Sequence, residues 1–211
     1  MGVLKPKRIT IKDQVYQYIK ELILSQRYQL GEKVNIDTLA NELNVSNSPI
    51  REALMMLEKQ GLVENIPNVG SRIISFSSDR YREICASLLI IVTGAYDLCV
   101  HLNTIDVAIE KMRDNLCLQQ EATNSSDIHT SIKYALEFDK SIVTATGNSY
   151  LLSIYEQMED IFFLMALHSN QRDEKEHKQN IYEHTMILQS VESGDAEAVK
   201  HWLYVHYDKH I

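Results

Sequence analysis

Apolar residues recur at helical spacing in the first 60 residues, and a shorter alternating pattern follows them. Residues three or four apart share one face of a helix, whereas alternating residues share one face of a strand. The pattern predicts three helices and two strands, over residues 10–27, 36–43, 46–60, 62–66 and 72–76. The turn-forming sequence Pro67-Asn68-Val69-Gly70 separates the strands. This order predicts a winged helix-turn-helix domain over residues 1–76.

From Ser77 onward the pattern predicts only helices. Their ranges are 79–101, 104–122, 127–145, 149–169, 174–193 and 195–209. Polar and glycine residues mark the ends, as in Gly147-Asn148 and Gly194-Asp195, where a helix stop precedes the cap of the next helix. We therefore expect a mainly α protein, in which an all-α helical bundle over residues 77–211 follows the winged helix-turn-helix.

The charge distribution also divides the chain. Residues 1–76 contain 10 Lys and Arg and 8 Asp and Glu, a net charge of +2. Residues 77–211 contain 11 and 21, a net charge of −10, and all eight histidines. Hydrophobic residues make up 45% of the chain, enough for a core in each part. This split predicts two domains with different partners.

The three cysteines favour a cytoplasmic protein. They are odd in number and have no CxxC spacing, which is typical of reduced thiols. The first ten residues are basic rather than apolar, and no run of 18 apolar residues occurs. We therefore expect neither a secreted nor a membrane-spanning protein.

The third predicted helix has the chemistry of a DNA-recognition helix. Its amino end carries Ser46, Asn47 and Ser48, short polar side chains that fit a major groove. Arg51 lies one turn further on, where it can reach guanine or phosphate.

In the wing, Gly70 permits a tight tip and Arg72 follows as a phosphate contact. More ordinary roles stay open. Ser46 could only cap the helix, Arg51 could pair with Glu52 or Glu58, and Gly70 could serve only the turn.

The motif Val45-Ser46-Asn47-Ser48-Pro49-Ile50-Arg51-Glu52-Ala53-Leu54 resembles the GntR family of regulators, in its FadR-type branch. Leu30-Gly31-Glu32 and Pro67-Asn68-Val69-Gly70-Ser71 resemble the family's turn and wing. The resemblance implies operator binding through residues Ser46, Asn47, Ser48, Arg51, Asn68, Gly70 and Arg72. Asn47 stands where the family commonly has arginine, which implies a different operator sequence.

The second part of the chain resembles the FCD ligand-binding domain of the same branch, through Phe138 to Asn148 and the Glu183-His184 and His206 positions. Many members bind a divalent metal through one Asp and three His. His184 and His206 match two of these positions, Asp139 occupies the first His position, and Ala135 occupies the Asp position. The resemblance implies that Asp139, His184 and His206 bind an effector, and a metal such as Zn, Ni or Mn.

Helix geometry is consistent with one shared site. His184 precedes Gly194 by 10 residues and His206 follows it by 12, so both lie roughly 15–18 Å from the turn between their helices. The cluster could also form a metal-free pocket for a polar effector, or a hydrogen-bonded core. His177 could replace a ligand, although its charged surroundings favour a surface position. The later tyrosines, such as Tyr155 and Tyr207, favour core or dimer-interface positions.

These observations predict a transcriptional regulator that binds operator DNA as a homodimer and responds to a small-molecule effector, such as an organic acid. Two alternatives remain. The helical domain could only dimerise, or Asp139, His184 and His206 could serve a metal-dependent hydrolase or lyase. The chain contains no nucleophile elbow, HExxH motif or P-loop, and a recognition helix has no role in such an enzyme.

Overall fold

The computed structural model describes residues 10–170 and 174–208. They form two compact units, the first ending at Phe76 and the second beginning at Ser77. The first contains helices α1 (Ile11–Leu24), α2 (Ile36–Leu43) and α3 (Asn47–Lys59) and strands β1 (Val63–Ile66) and β2 (Gly70–Ile73). The second contains helices α4 (Ser78–Leu102), α5 (Ile105–Asn124), α6 (Ile128–Ala145), α7 (Ser149–Asn170), α8 (Glu174–Ser193) and α9 (Ala196–Asp208).

The winged unit is built on an apolar seam between α1 and α3. Ile19 of α1 and Ile50 and Leu57 of α3 are fully buried. Thr10 begins α1 with a capping box: its side chain accepts from the Asp13 backbone, and the Asp13 carboxylate accepts from the Thr10 N–H. The helix ends three residues earlier than predicted, because Gln26 adopts a left-handed conformation with φ of 58°.

The wing is an antiparallel hairpin in which Val63 pairs with Ile73 and Ile66 with Gly70. The second strand was predicted over 72–76, and this placement was wrong. The strand begins at Gly70 because Gly70 pairs with Ile66 directly after the turn. The other edge of the strand is also bonded: the Val34 N–H donates to the Ser71 carbonyl, and the Ile73 N–H to the Glu32 carbonyl. This pairing beyond the hairpin was invisible to the local pattern.

The described residues of the second unit form helices and no strand, as predicted, and these helices begin and end within two residues of the predicted positions. The last predicted residue, 209, lies outside the described residues. Helix α6 is central, because it packs against α4, α5, α7 and α8. Phe138 and Ile142 of α6 are fully buried in the main core, together with Leu88 of α4 and Leu203 of α9.

The turn between α8 and α9 determines how the two histidine-bearing helices pair. Gly194 adopts φ of 70°, which L-residues with a Cβ adopt only at a cost. The Asp195 side chain then accepts from the Ala198 N–H and caps α9. The two helices pack against each other, so residues at similar distances from the turn can meet.

Within the described residues, α4 alone has the length and composition to cross a membrane. A core helix of a globular domain meets the same criteria, and Leu88, Val92 and Cys99 of α4 are fully buried against the other helices. Ile90, on its outer face, is 72% exposed. Of the later tyrosines, Tyr155 and Tyr207 are core residues, whereas Tyr150, Tyr182 and Tyr204 are exposed in the single chain, where an interface position stays a prediction.

Candidate functional site

The amino end of α3 presents its polar side chains to solvent. Ser46 occupies the cap position in extended conformation, but its hydroxyl makes no capping hydrogen bond. The Asn47 amide donates to Asp37 Oδ1 at 2.9 Å, and the Ser48 hydroxyl donates to Glu52 Oε1 at 3.2 Å. Asn47 therefore also ties α3 to α2.

Arg51 lies one turn further along α3. Its side chain is exposed and, within the described part of the chain, forms no ion pair with Glu52 or Glu58. The guanidinium is thus available to an external partner at the end of the helix that also presents backbone N–H groups.

The wing tip has the backbone geometry that its sequence predicts. Asn68 adopts φ of 62° and Gly70 φ of 101°, so the turn requires two residues that tolerate left-handed backbone. Arg72 does not simply extend into solvent: its Nη1 donates to the Gly31 carbonyl oxygen at 2.8 Å. This bond joins the wing to the loop before α2, a role that sequence reasoning missed.

The second unit contains a buried cluster of the three predicted site residues. Asp139 lies on α6, His184 on α8 and His206 on α9, and none is more than 5% exposed. One ligand atom from each lies within 4.8 Å of the others. Three helices thus bring two ring nitrogens and one carboxylate oxygen close together.

Each of these residues forms a hydrogen bond with a side chain outside the cluster. His184 Nδ1 lies 2.8 Å from Gln119 Oε1, and His206 Nδ1 lies 2.8 Å from Glu183 Oε2. Both partner oxygens are acceptors, so each Nδ1 donates, and in the neutral form of each ring Nε2 carries the lone pair. Imidazoles that bind metal ions are typically held in this way.

The carboxyl group of Asp139 is held by the Tyr207 hydroxyl, which donates to Oδ2 at 2.6 Å. Its other oxygen, Oδ1, is buried and makes no hydrogen bond within the described residues. Burial raises the pKa of Asp139, while His206 and the Tyr207 hydrogen bond act in the opposite direction. A cation against Oδ1 would satisfy the orphaned atom and favour the ionised carboxylate.

The partners Gln119, Glu183 and Tyr207 were not predicted as site residues. Glu183 directly precedes His184 in the quoted motif, and this position could have indicated that Glu183 belongs to the site. Tyr207 was predicted as a core or interface residue, and Gln119 lies on α5 without any motif around it. Only the packing of the helices assigns these two side chains to the site.

The cluster opens into a small cavity of about 40 Å³. That is space for roughly three water molecules, since one water requires about 10–15 Å³. Polar side chains on its walls, besides the three site residues, are Tyr81, Gln119, Ser131, Glu176, His177 and Asn180. His177 is only 9% exposed, so its predicted surface position was wrong. Among the described residues, no Lys or Arg lines the cavity.

The donor set fits a divalent metal ion. Two imidazole nitrogens and a carboxylate oxygen suit Zn, Ni or Mn and leave coordination positions open. Two observations agree with this chemistry. Asp139 Oδ1 has no hydrogen-bond partner within the described residues, and hydrogen bonds at Nδ1 orient both imidazoles. A buried carboxylate oxygen without a hydrogen bond costs about 1–3 kcal/mol, and an ion or a water molecule in the adjoining cavity would offset this cost.

A winged helix-turn-helix joined to a helical bundle with a buried polar cavity defines the class of ligand-responsive transcription regulators. Two family models match the chain: "Bacterial regulatory proteins, gntR family" over residues 11–73 and "FCD domain" over residues 98–209. The second alone covers more than half of the chain. The chain therefore belongs to the GntR family of bacterial transcriptional regulators, in the group that carries an FCD domain.

Similar proteins of known sequence are also regulators. The HTH-type transcriptional regulator YdhC of Bacillus subtilis strain 168, itself uncharacterized, is 27% identical over 200 residues, covering 92% of this chain and 87% of YdhC. The Uxu operon transcriptional regulator of Escherichia coli strain K12 is 27% identical over 213 residues, covering 92% and 83%. The gluconate operon transcriptional repressor of Bacillus licheniformis is 22% identical over 190 residues, covering 88% and 77%.

Solved structures share the fold. A GntR-type protein from Rhodococcus sp. RHA1 has a TM-score of 0.80 at 15% identity, covering 94% of each chain. E. coli McbR/YncC has a TM-score of 0.75 at 18% identity, covering 95% of each chain. The chain is thus a transcriptional regulator whose helical domain is of a small-molecule-binding type, as predicted. The relatives above are regulators rather than enzymes, which gives the hydrolase alternative no support.

Proposed function

We propose that this protein is a cytoplasmic homodimer that binds operator DNA, and that a small effector in the cavity beside Asp139, His184 and His206 controls its operator affinity. The observation that supports effector control best is the convergence of these three buried side chains on a cavity. A domain that only dimerised would gain nothing from a buried carboxylate oxygen without a partner.

A divalent ion held by Asp139, His184 and His206 is part of the proposal. Gln119 and Glu183 would keep the two imidazoles in the tautomer that offers Nε2, and Tyr207 would keep the Asp139 carboxylate in place. When bound, the ion supplies positive charge and open positions for oxygen atoms of an effector.

An organic acid or a sugar is the proposed effector type. The relatives include regulators named for the gluconate and D-xylose operons. Because no Lys or Arg lines the described cavity, an anionic effector would depend on the metal ion for its attraction.

On the DNA side, we propose that Ser46, Asn47, Ser48 and Arg51 face the major groove. Asn68, Gly70 and Arg72 would lie along the backbone at the wing. The exposure of the α3 amino end supports the first assignment. Arg72 already donates from Nη1 to the Gly31 carbonyl oxygen. Its guanidinium has further N–H donors, and these would contact a phosphate.

The double variant His184→Ala with His206→Ala tests the proposal. Metal content is measured by elemental analysis, and operator affinity is measured on a duplex selected from a random library, with and without a panel of organic acids and sugars. We expect the wild type to bind one divalent ion per chain and to change its affinity with at least one compound. The double variant should lose both properties and keep its basal DNA binding.

A matched control removes two histidines from the exterior of the same unit, His101→Ala with His168→Ala, both exposed. This control should behave as the wild type. Unchanged metal content and effector response in the site variant would overturn the proposal.

A further inference from the structure

We infer that the amino end of α3 presents hydrogen-bond acceptors to the major groove, and so selects bases with an exocyclic amino group, adenine or cytosine, over guanine and thymine. The inference rests on the proposed docking of this end in the operator, and it deepens that proposal by naming the bases that are read. The juxtaposition behind it is a pair of carboxylates, Asp37 and Glu52, which accept the hydrogen bonds of Asn47 and Ser48.

Asp37 determines the orientation of the Asn47 amide. Asn47 Nδ2 donates to Asp37 Oδ1 at 2.9 Å. A carboxylate only accepts hydrogen bonds, so a reversed amide would place two acceptor oxygens against each other. Asp37 lies in the first turn of α2 and Asn47 begins α3, so the bond crosses the helix-turn-helix. Asn47 Oδ1 therefore faces away from Asp37 and is left for an external donor.

Glu52 acts on Ser48 in a similar way. The two residues are one turn apart on α3, and the Ser48 hydroxyl donates to Glu52 Oε1 at 3.2 Å. A hydroxyl has one proton, so Ser48 Oγ retains only lone pairs for other partners. The side chains of Asn47 and Ser48 are both exposed. Two neighbouring positions of the recognition helix thus offer acceptor oxygens to a partner outside the chain.

The major-groove edges of the bases decide which of them can pair with these acceptors. Adenine presents an amino donor at N6 and cytosine one at N4, whereas guanine O6 and thymine O4 are acceptors. Opposite guanine or thymine, Asn47 Oδ1 would face another acceptor, and the charge of Asp37 would add to the repulsion. Adenine suits Asn47 best, because the second Nδ2 hydrogen can also donate to adenine N7.

Arg51 has the opposite polarity. Its guanidinium only donates, which suits guanine O6 and N7. Four residues separate Asn47 from Arg51, a rise of about 6 Å along α3. That distance is roughly two base-pair steps of 3.4 Å. The helix therefore combines positions that select an amino base with a nearby position that selects guanine.

The test measures base preference in the full chain rather than overall affinity. An operator is selected from a random duplex library, and each of its base pairs is then replaced by every other. The position opposite Asn47 is the one whose preference disappears in Asn47→Ala. Titrations at fixed salt compare the wild type with Asp37→Ala and with the control Glu58→Ala. The control removes an exposed carboxylate from the last turn of α3.

We expect the wild type to prefer adenine or cytosine at this position by about tenfold. Asp37→Ala should narrow the preference to about threefold or less, because the Asn47 amide can then turn over and donate to a keto base. Glu52→Ala should do the same at the position that Ser48→Ala identifies, since the hydroxyl proton is then released. Glu58→Ala should leave both preferences unchanged.

A second measurement removes the amino group from the base instead of changing the protein at Asp37. At the position opposite Asn47, purine replaces adenine, or pyrimidin-2-one replaces cytosine. The wild type should lose about tenfold in affinity for the modified duplex, and Asn47→Ala should lose little. The comparison of the two proteins cancels the effect of the modification on base pairing within the duplex.

The outcomes separate this inference from the proposed function. If neither Asn47→Ala nor Arg51→Ala changes any base preference, the proposed docking of α3 is itself wrong. If Asn47→Ala does so, but the wild type prefers guanine or thymine there or Asp37→Ala keeps the full preference, the acceptor assignment is wrong and the docking stands. An equal loss for the wild type and Asn47→Ala on the modified duplex would also overturn that assignment.

Discussion

At the scale of single residues, Gln119 shows how a side chain far away in sequence can control the chemistry of the site. Its amide oxygen faces His184 Nδ1, and its amide nitrogen donates to Asn180 Oδ1. The amide is thus oriented at both ends, and it imposes one tautomer on His184. An imidazole in that tautomer offers its Nε2 lone pair to an ion.

Replacement of Gln119 by Leu should weaken divalent metal binding by about 10–100-fold, because the imidazole loses the acceptor that orients it. The measurement is competition with a chromophoric chelator. Gln120→Leu is the matched control, since its side chain is exposed on the same helix. Equal metal affinity in both variants would show that Gln119 does not orient His184.

Arg51 is the residue on which base recognition most depends in this proposal. Arg51→Ala should weaken binding to a selected operator by about 1–3 kcal/mol and relax its sequence preference at one position. Lys59→Ala removes a positive charge from the last turn of the same helix and should have little effect. Titrations at fixed salt measure both variants. An operator affinity equal to that of the wild type in Arg51→Ala would remove its assigned role.

At the scale of elements, the α8–α9 hairpin brings His184 and His206 together. Their rings lie 4.7 Å apart between centroids, and Phe138 of α6 stacks on His184 at 4.3 Å. The register of the hairpin depends on its turn, where Gly194 has φ of 70°. A one-residue slip would rotate either histidine by about 100° around its helix axis and break the cluster.

Gly194→Ala should therefore lower the free energy of unfolding by about 1–2 kcal/mol, because a Cβ is disfavoured in left-handed backbone. Urea denaturation followed by circular dichroism gives the value. Asn103→Gly is the comparison, since Asn103 has φ of 57° at the end of α4 and glycine relieves any strain there. A stability loss in Asn103→Gly as large as that in Gly194→Ala would contradict this account.

At the scale of the whole molecule, α4 carries more apolar surface than its own domain covers. Besides Ile90, Val100 and Leu102 of this helix are 48% and 46% exposed. Ile90 is 72% exposed at the middle of the outer face. A second copy of the chain packed on this face would remove that surface from water. The dimer would then carry two winged units, which could bind the two halves of a palindromic operator.

Ile90→Glu should accordingly convert a dimer into a monomer at micromolar concentration and weaken binding to a palindromic site. Sedimentation velocity measures the first effect, and titration of full and half operators measures the second. Val107→Glu, at an exposed apolar residue of α5, is the control and should remain dimeric. A wild type that sediments as a monomer would contradict the prediction.

The sequence by itself determined much of this protein, because the signals that place helices are local. Apolar spacing together with end signals such as the cap Thr10 and the stop Gly194 predicted every helix that the structure describes, and the polar run before Arg51 predicted the recognition helix. The resemblance to the FCD domain indicated Asp139, His184 and His206, and the similar depths of the two histidines from the Gly194 turn could be counted along the chain.

Only the tertiary structure decided which side chains support that chemistry. It brings the Gln119 amide to His184 and the Tyr207 hydroxyl to Asp139, and it buries His177. These contacts depend on how separate helices rotate and cross, which the apolar spacing within one helix does not indicate. The bond from Arg72 to the Gly31 carbonyl joins residues 41 positions apart in the same way. A local pattern predicts which face of a helix is buried. The packing between helices decides which side chains meet, because a contact depends on the positions of two backbones.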